Sequence, residues 1–140
     1  MASKDKVEAF LAERRNVIVA GVRRDGRPQL TPNWFTWDGE RFYISTTRNR
    51  AKFKIFTRDP RIELLIDDST GSRCVLVSGT AEIREDLPAE LDRFRAIREK
   101  HSVPVPDDDE LLRSLEKDQR VLLAITPDGP IASWTAWGLD

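Results

Sequence analysis

The 140-residue sequence is long enough for one domain that buries roughly two-thirds of its unfolded surface, and 34% of its residues are charged. Its 23 basic and 24 acidic side chains give a formal net charge of −1. Proteins that bind bulk nucleic acid usually have a clearly basic surface, so this composition does not indicate such a partner. A single cysteine, Cys74, excludes an intrachain disulfide, and one histidine leaves too few ligands for a zinc cluster. We therefore expect one domain over residues 1–140, with no metal site.

The N-terminal segment bears on localisation. Residues 1–15 carry charges throughout and do not resemble a signal peptide, and no apolar run approaches the length that spans a membrane. We expect a soluble cytoplasmic protein.

The first half of the chain predicts a helix followed by strands. Ser3 is a suitable N-cap for a helix that extends to Arg14. Asp-Gly turns then separate three strands, over residues 16–23, 29–37 and 41–46. We expect a meander of three antiparallel strands, in which Pro28 and Pro32 indicate an edge or a bulge in the second strand.

The second half alternates helices and strands. A basic helix follows residue 50, and Pro60 ends it, because the residue before a proline is pushed towards extended geometry. Pro88 fits the N1 position of a helix that extends to Lys100. The remaining predictions are a helix that begins at residues 107–109, strands over 62–67, 73–84, 119–126 and 131–138, and a bulge at Gly79. This pattern predicts an α+β protein, mainly antiparallel β, that forms a small barrel with peripheral helices.

The clearest functional signal lies between residues 45 and 54. Hydroxyl side chains end a strand at Ser45, Thr46 and Thr47, and a helical segment with alternate basic residues follows. Hydroxyl donors, free backbone N–H groups at a helix start, and cations such as Arg50 and Lys52 together make an anion site suited to a phosphate.

Lys52 distinguishes this segment from an ordinary basic patch. At 100° per residue it lies on the apolar arc of the helix with Ala51, Ile55 and Phe56. An ammonium there is costly unless it has a partner or a route to water. The alternative is a solvated helix face with one snorkelling lysine.

Other candidate groups give weaker signals. His101 follows a helix end and is typical of a capping residue, and Cys74 has apolar neighbours typical of a core thiol. Without a nucleophile–base pair, we expect any redox chemistry to belong to a cofactor, with no catalytic side chain. By strand alternation Gln29, Thr31 and Asn33 share one face, which could bind the edge of a heterocycle or face solvent.

The order of several motifs resembles a known family. The motifs are Arg27-Pro28-Gln29-Leu30-Thr31-Pro32, the hydroxyl run followed by Arg50-Ala51-Lys52, Arg58-Asp59-Pro60-Arg61, Gly79-Thr80-Ala81, and Asp118-Gln119-Arg120-Val121-Leu122-Leu123. In this order they resemble the split β-barrel flavin and deazaflavin oxidoreductases, also called the pyridoxamine-phosphate-oxidase-like superfamily. Within it, the resemblance is to the actinobacterial branch that uses the deazaflavin coenzyme F420.

The resemblance implies a homodimer with two cofactor sites at the subunit interface. It implies that reduced F420 transfers a hydride to an unsaturated organic substrate without a dedicated acid or base. The implied phosphate ligands are Arg50 and Lys52 with Ser45, Thr46 and Thr47, the implied ring contacts are Gln29, Thr31, Pro32 and Asn33, and Trp137 of the partner subunit closes the pocket.

Two alternatives remain open. True pyridoxamine-phosphate oxidases carry an Arg-x-Val-Leu-Leu-Lys segment that helps to hold FMN, and no counterpart lies between Thr31 and Ser45. This disfavours FMN-dependent vitamin metabolism but leaves an FMN-binding oxidoreductase or flavin carrier as the alternative. A third hypothesis is a non-enzymatic module that binds RNA or an acidic partner through the basic helix.

Overall fold

The computed structural model describes residues 3–13 and 15–140, and these contain four α-helices and eight strands. In chain order they are α1 (Lys4–Ala12), β1 (Val17–Val22), β2 (Pro28–Asn33), β3 (Thr36–Trp37), β4 (Phe42–Thr47), α2 (Ala51–Arg58), β5 (Arg61–Asp67), β6 (Cys74–Arg84), α3 (Leu87–Lys100), α4 (Asp108–Lys117), β7 (Arg120–Pro127), a 3₁₀ turn (Ile131–Ser133) and β8 (Thr135–Trp137). Within the described residues, no helix is both long enough and apolar enough to cross a membrane.

The strands form one antiparallel sheet in the order β2-β1-β5-β6-β7-β4-β3, with β8 paired to β6. The sheet curls into a half-barrel with the helices around it, so the predicted α+β, mainly antiparallel split-barrel class is confirmed. Although β2 and β3 stand at opposite ends of the strand order, only Trp34 and Phe35 join them. Two linking residues span about 11 Å at most, so the sheet must curl until its two ends come together.

The predicted meander of three strands is wrong. Residues 29–37 form two strands, because the chain leaves β2 after Asn33 and crosses to the other end of the sheet, where Phe35 enters the core. The Asp38-Gly39 turn does join β3 to β4, with Trp37 opposite Phe42. However, β4 continues into the sheet by pairing with β7, a partner that lies far along the chain.

The prolines of β2 have the predicted setting. Pro28 and Pro32 lie on a strand with one neighbour, β1, so the missing N–H groups need not break a central ladder. The strand alternates as expected: Gln29, Thr31 and Asn33 are half-buried, whereas Leu30 is 63% exposed.

Three smaller predictions change at the ends and bends of elements. No bulge occurs at Gly79, which pairs in unbroken register with Ile62 on one side and Pro127 on the other. A Cβ there would lie 2.8 Å from the Thr126 carbonyl oxygen, so close approach of the β7 backbone explains the glycine. Residues 131–138 form a 3₁₀ turn and a short strand, and α1 ends at Ala12, with Arg14 outside the described residues.

Apolar side chains pack on both faces of β4 and β7. Alternate residues such as Ile44 and Leu123 face the barrel interior, whereas Tyr43 and Leu122 pack against α3 and α4. Burial on both faces explains the uninterrupted apolar run over residues 121–125. Helix α3 therefore lies over β7 and over β4, the strand that ends with the hydroxyl run.

Helix α2 is held against β1 by a close contact at Gly21. A Cβ on Gly21 would lie 2.8 Å from Ile55 Cγ2 and 2.9 Å from Phe56 Cζ, so a side chain there would push the helix outward. The glycine thus sets how closely the basic helix approaches the sheet.

We expect Gly21→Val to lower the free energy of unfolding by about 1–3 kcal/mol, because it overpacks the contact between α2 and β1. Denaturant unfolding measures the change. Thr80→Val, a β-branched substitution at an exposed position of β6, is the control and should leave the midpoint almost unchanged. A wild-type midpoint for Gly21→Val would show that this contact does not position α2.

Candidate functional site

Helix α2 presents Lys52 to the interior, as its position on the helix predicted. Lys52 is only 6% exposed and lies beside the buried side chains of Ile55 and Phe56. Ala51, which was expected on the same arc, is exposed instead, because it is the first helical residue and follows the N-cap Arg50 at the mouth of the site. The snorkelling alternative is therefore wrong for Lys52.

The ammonium of Lys52 is bound to the polar face of β2. Its Nζ donates to Thr31 Oγ1 at 3.1 Å, and Thr31 Oγ1 donates to Asn33 Oδ1 at 3.3 Å. Hydrogen bonds thus connect the basic helix with the polar row of β2. The sequence analysis had identified these two features separately, about twenty residues apart. No carboxylate forms an ion pair with Lys52 in residues 3–13 and 15–140.

Burial, followed by the positive charge of Arg50, lowers the pKa of the Lys52 ammonium from its ordinary value of 10.5. A hydroxyl is a weak partner for a buried cation, because it brings no countercharge. The site therefore favours an added anion beside Lys52.

Two adjoining clefts open next to these hydrogen-bonded residues. The main cleft, of about 470 Å³, is lined on its sheet side by Pro32, Asn33, Trp34, Ser45, Arg50 and Arg120. The polar cleft, of about 480 Å³, shares Arg50 and Arg120 with the main cleft, and its other lining residues are Thr47, Asn49, Lys117, Asp118 and Gln119. The two shared arginines therefore stand where the clefts meet.

Arg120 is a site residue that the sequence analysis did not identify. Its guanidinium donates to Ser45 Oγ at 3.3 Å, while its buried Nε has no hydrogen-bond partner. Burial lowers the pKa of Arg120, and the positive charges of Arg50 and Arg98 add to the shift against the opposing effect of Asp118. Pairing of β4 with β7 places Arg120 opposite Thr47. The sequence feature that could have identified Arg120 is its position as a charged residue at the start of the otherwise apolar strand β7.

Positive charge is concentrated at the main cleft without matching carboxylates, whereas Asp118 lines the polar cleft. Lys52, Arg50, Arg98 and Arg120 form no ion pair in the part of the chain that the structure describes, whereas Arg48 pairs with Glu85 at 3.0 Å. The lining of the main cleft contains no aspartate or glutamate within that part. Such a concave, positively charged surface attracts anions and holds them in a partly desolvated setting.

The three hydroxyl residues take different positions. Ser45 lines the main cleft, and Thr47 lines the polar cleft, where its hydroxyl donates to Asn49 Oδ1. Thr46 is 1% exposed and its Oγ1 has no hydrogen-bond partner. A buried hydroxyl without a partner is unusual. Thr46 lines neither cleft, because it is on the opposite face of β4 from Ser45 and Thr47.

Five of the ten predicted cofactor-binding residues line neither cleft: Gln29, Thr31, Thr46, Lys52 and Trp137. Thr31 and Lys52 are linked to the main cleft through the hydrogen bond to Asn33. Gln29 lies opposite Gly21 on β1, and it lines neither cleft. Trp137 lies on β8 opposite Cys74, is 44% exposed, and donates from Nε1 to the Gly71 carbonyl oxygen at 3.3 Å. The role of Trp137 in the partner subunit's site stays a prediction.

His101 and Cys74 have structural settings. The His101 ring stacks on Trp34, with ring centroids 4.6 Å apart and an angle of 10° between the planes. Cys74 is buried, and burial with the nearby negative charges of Asp67 and Asp68 raises the pKa of its thiol, so it is an unreactive core residue as predicted. The arrangement as a whole can bind an anion at the cations and a planar group against Trp34.

Comparison with known proteins identifies the superfamily. Solved structures similar to this chain include one described as an F420 reductase, with 25% identity over 87% of this chain and 93% of the other and a TM-score of 0.71. A conserved hypothetical protein, Rv2991, from Mycobacterium tuberculosis has 25% identity over 98% and 85% of the two chains and a TM-score of 0.82. The heme storage protein HutZ from Vibrio cholerae, at 16% identity over 93% of each chain and a TM-score of 0.71, shares the fold alone.

The family comparison covers most of the chain. Residues 3–130 match the family described as pyridoxamine 5′-phosphate oxidase, a span that includes the polar face of β2, the hydroxyl run, Lys52 and Arg120. The curled antiparallel sheet agrees with that match. The chain therefore belongs to the pyridoxamine 5′-phosphate oxidase family.

Proposed function

We propose that this protein is an oxidoreductase that uses the reduced deazaflavin coenzyme F420 to transfer a hydride to an unsaturated organic substrate. The observation that carries the proposal is the buried, carboxylate-free Lys52, which is hydrogen-bonded to β2 beside a cleft with further unpaired cations. Similarity to a structure described as an F420 reductase supports the choice of coenzyme.

The residues present fit the phosphate of such a coenzyme. Lys52 and Arg50 supply charge, and Ser45 and Thr47 supply hydroxyl groups. To these the structure adds Arg120, whose buried Nε has no partner. A phosphate has several acceptor oxygens, which could satisfy these donors together.

The polar face of β2 would position the ring. Because Asn33 Oδ1 accepts from Thr31, the Asn33 amide keeps its NH₂ group for the edge of a heterocycle, and Pro32 supplies an apolar contact. Gln29 lies farther along the same face of β2, and we propose that it contacts the ring partly through its backbone groups. The Lys52–Thr31 hydrogen bond ties this arrangement to the phosphate-binding helix.

The coenzyme, when bound, supplies the hydride. The protein's own groups bind the phosphate, orient the ring face towards the substrate and exclude water from the apolar part of the cleft. A catalytic dyad is not required, because solvent can supply the proton that completes reduction.

We also propose that the chain acts as a homodimer, with Trp137 of the partner subunit near the main cleft. Exposed large apolar side chains support this assembly: Leu30 is 63% exposed and Trp34 is 45% exposed, next to an edge strand. Apolar surface beside a half-open site is typical of an interface.

FMN is the second candidate cofactor, because the family as a whole binds flavins. The same cations and hydroxyl groups would hold its phosphate. The protein would then be an FMN-binding oxidoreductase or flavin carrier on the same barrel.

We expect the purified protein to bind F420 more tightly than FMN in parallel fluorescence titrations. We also expect chemically reduced F420 bound to the protein to be reoxidised when an unsaturated acceptor is added. Preference for FMN would replace the leading proposal with the flavin alternative. Binding of neither coenzyme would contradict both, and strongly salt-dependent RNA binding in the same samples would favour the non-enzymatic hypothesis.

We expect Lys52→Met to weaken F420 binding by about 10- to 100-fold, equivalent to roughly 1–3 kcal/mol for a charged hydrogen bond. The free energy of unfolding without coenzyme should stay equal or rise, because the substitution removes a buried cation that has no carboxylate partner. Lys54→Met removes the same charge from an exposed position of the same helix and is the matched control. Equal affinities in both variants would contradict the phosphate assignment.

The lowered pKa of Lys52 gives binding a defined pH dependence. A bound anion stabilises the ammonium, so coenzyme affinity should fall as pH rises through the lowered pKa towards the ordinary value of 10.5. Over the same interval the free protein should gain stability with pH, because the unfolded chain binds more protons than the folded one. Both trends, measured by titration and by denaturant unfolding, should be smaller in Lys52→Met. Identical pH profiles for the variant and the wild type would assign the titration to other groups.

A further inference from the structure

The main cleft has a second wall that comes from α3. Phe94, Ile97 and Arg98 line it from one face of that helix, since positions i, i+3 and i+4 lie side by side. The loop after the helix folds back, with the Val103 N–H donating to the Arg98 carbonyl oxygen at 2.9 Å, and Val103 joins the same wall. This wall is apolar except for the Arg98 guanidinium.

Arg98 is not among the residues proposed above to bind the phosphate. It lines the main cleft but not the polar cleft, whereas Arg50 and Arg120 line both. Its side chain is half-buried and forms no ion pair or hydrogen bond with any other described residue. Arg98 also adds to the positive charge at Arg120, so the two guanidinium groups are close enough to repel each other. A second anion in the main cleft would relieve this repulsion.

The main cleft also contains a flat apolar surface, the Trp34 indole. The Trp34 indole is fixed by stacking on His101, and it remains 45% exposed. The indole thus offers a firm surface for a planar group. The main cleft thus contains both a planar apolar surface and a cation that is not assigned to the coenzyme phosphate.

From this combination we propose that the substrate reduced at this site is a planar, conjugated carboxylate, whose carboxylate group binds to Arg98 while its unsaturated part lies against Trp34. A guanidinium can donate two parallel hydrogen bonds to a carboxylate, which fixes the orientation of the molecule as well as its position. Arg98 is therefore a specificity-determining residue. The reduction step in this inference rests on the proposed function. The binding of a carboxylate to Arg98 does not depend on it.

The electron balance requires only the reduced deazaflavin named above. Two electrons and one hydrogen reach a carbon of the conjugated double bond as a hydride; its π bond breaks, and a proton from water completes the C–H bond at the other carbon. The coenzyme is oxidised, the substrate is reduced by two electrons, and the carboxylate is unchanged.

Isothermal titration with cinnamate, a planar unsaturated carboxylate, and with its neutral amide, cinnamamide, tests the proposal. We expect wild-type protein to bind cinnamate more tightly than cinnamamide. Arg98→Met should weaken cinnamate binding by about tenfold or more, the loss typical of a charged hydrogen bond, and leave cinnamamide binding unchanged. Arg98→Lys should recover part of the affinity. Arg113→Met, at an exposed position of α4, removes the same charge and should have no effect.

Each titration is made both without F420 and with it, and F420 affinity is measured separately for every variant. Failure of cinnamate to bind the wild type, equal binding of cinnamate and cinnamamide, or unchanged cinnamate affinity in Arg98→Met would overturn the proposal. A parallel loss of F420 affinity in Arg98→Met would overturn it too, by assigning Arg98 to the coenzyme. If F420 does not bind the wild type but Arg98-dependent cinnamate binding remains, the proposed function fails and the carboxylate site stands.

Discussion

The link of two residues between β2 and β3 is the constraint on which this fold depends. The strands stand at opposite ends of the sheet order, and Trp34 and Phe35 alone join them. The sheet therefore has to curl, and the link lies where its two ends meet. Phe35 is buried in the barrel core, whereas Trp34 faces outward into the main cleft. A single crossing thus closes the barrel and supplies the aromatic surface of the site.

The second organising feature is a charge that the protein does not neutralise by itself. Lys52 is buried against β2 with a hydroxyl as its partner, and Arg50, Arg98 and Arg120 form no ion pair with a carboxylate of the described residues. Such an arrangement costs stability in the free protein, because buried charge without a countercharge is unfavourable. The cost is understandable if the site is built for an anionic ligand, which supplies the missing charge on binding. Stability and affinity should then depend on Lys52 in opposite directions.

Helix α3 connects the packing of the protein with its specificity. Phe94 and Ile97 belong to the cluster that covers the outer face of β4 and β7, and both also line the main cleft. Arg98, on the next position of the same face, reaches the cleft from a rigid element whose neighbours are fixed by the core. A binding group on a packed helix keeps its geometry better than one on a free loop.

The sequence by itself determined the features that depend on local pattern. Periodicity identified most helices and strands, the prolines marked β2 as an edge, strand alternation grouped Thr31 with Asn33, and helical spacing placed Lys52 on the buried face of α2. These properties follow from the backbone geometry of a few consecutive residues.

Only the tertiary structure decided which of these segments meet. The meander predicted from adjacent hairpin signals was wrong, because β4 pairs with β7 and β2 stays at the far edge. The same pairing brings Arg120 beside Ser45, and packing of α3 on that pair brings Arg98 to the cleft. Strand partners and helix docking depend on contacts between residues far apart in the chain, and a local pattern carries no record of them. About half of the candidate site was therefore visible from the sequence: the sheet-side and α2 residues with strong local signals, but not the arginines that complete it.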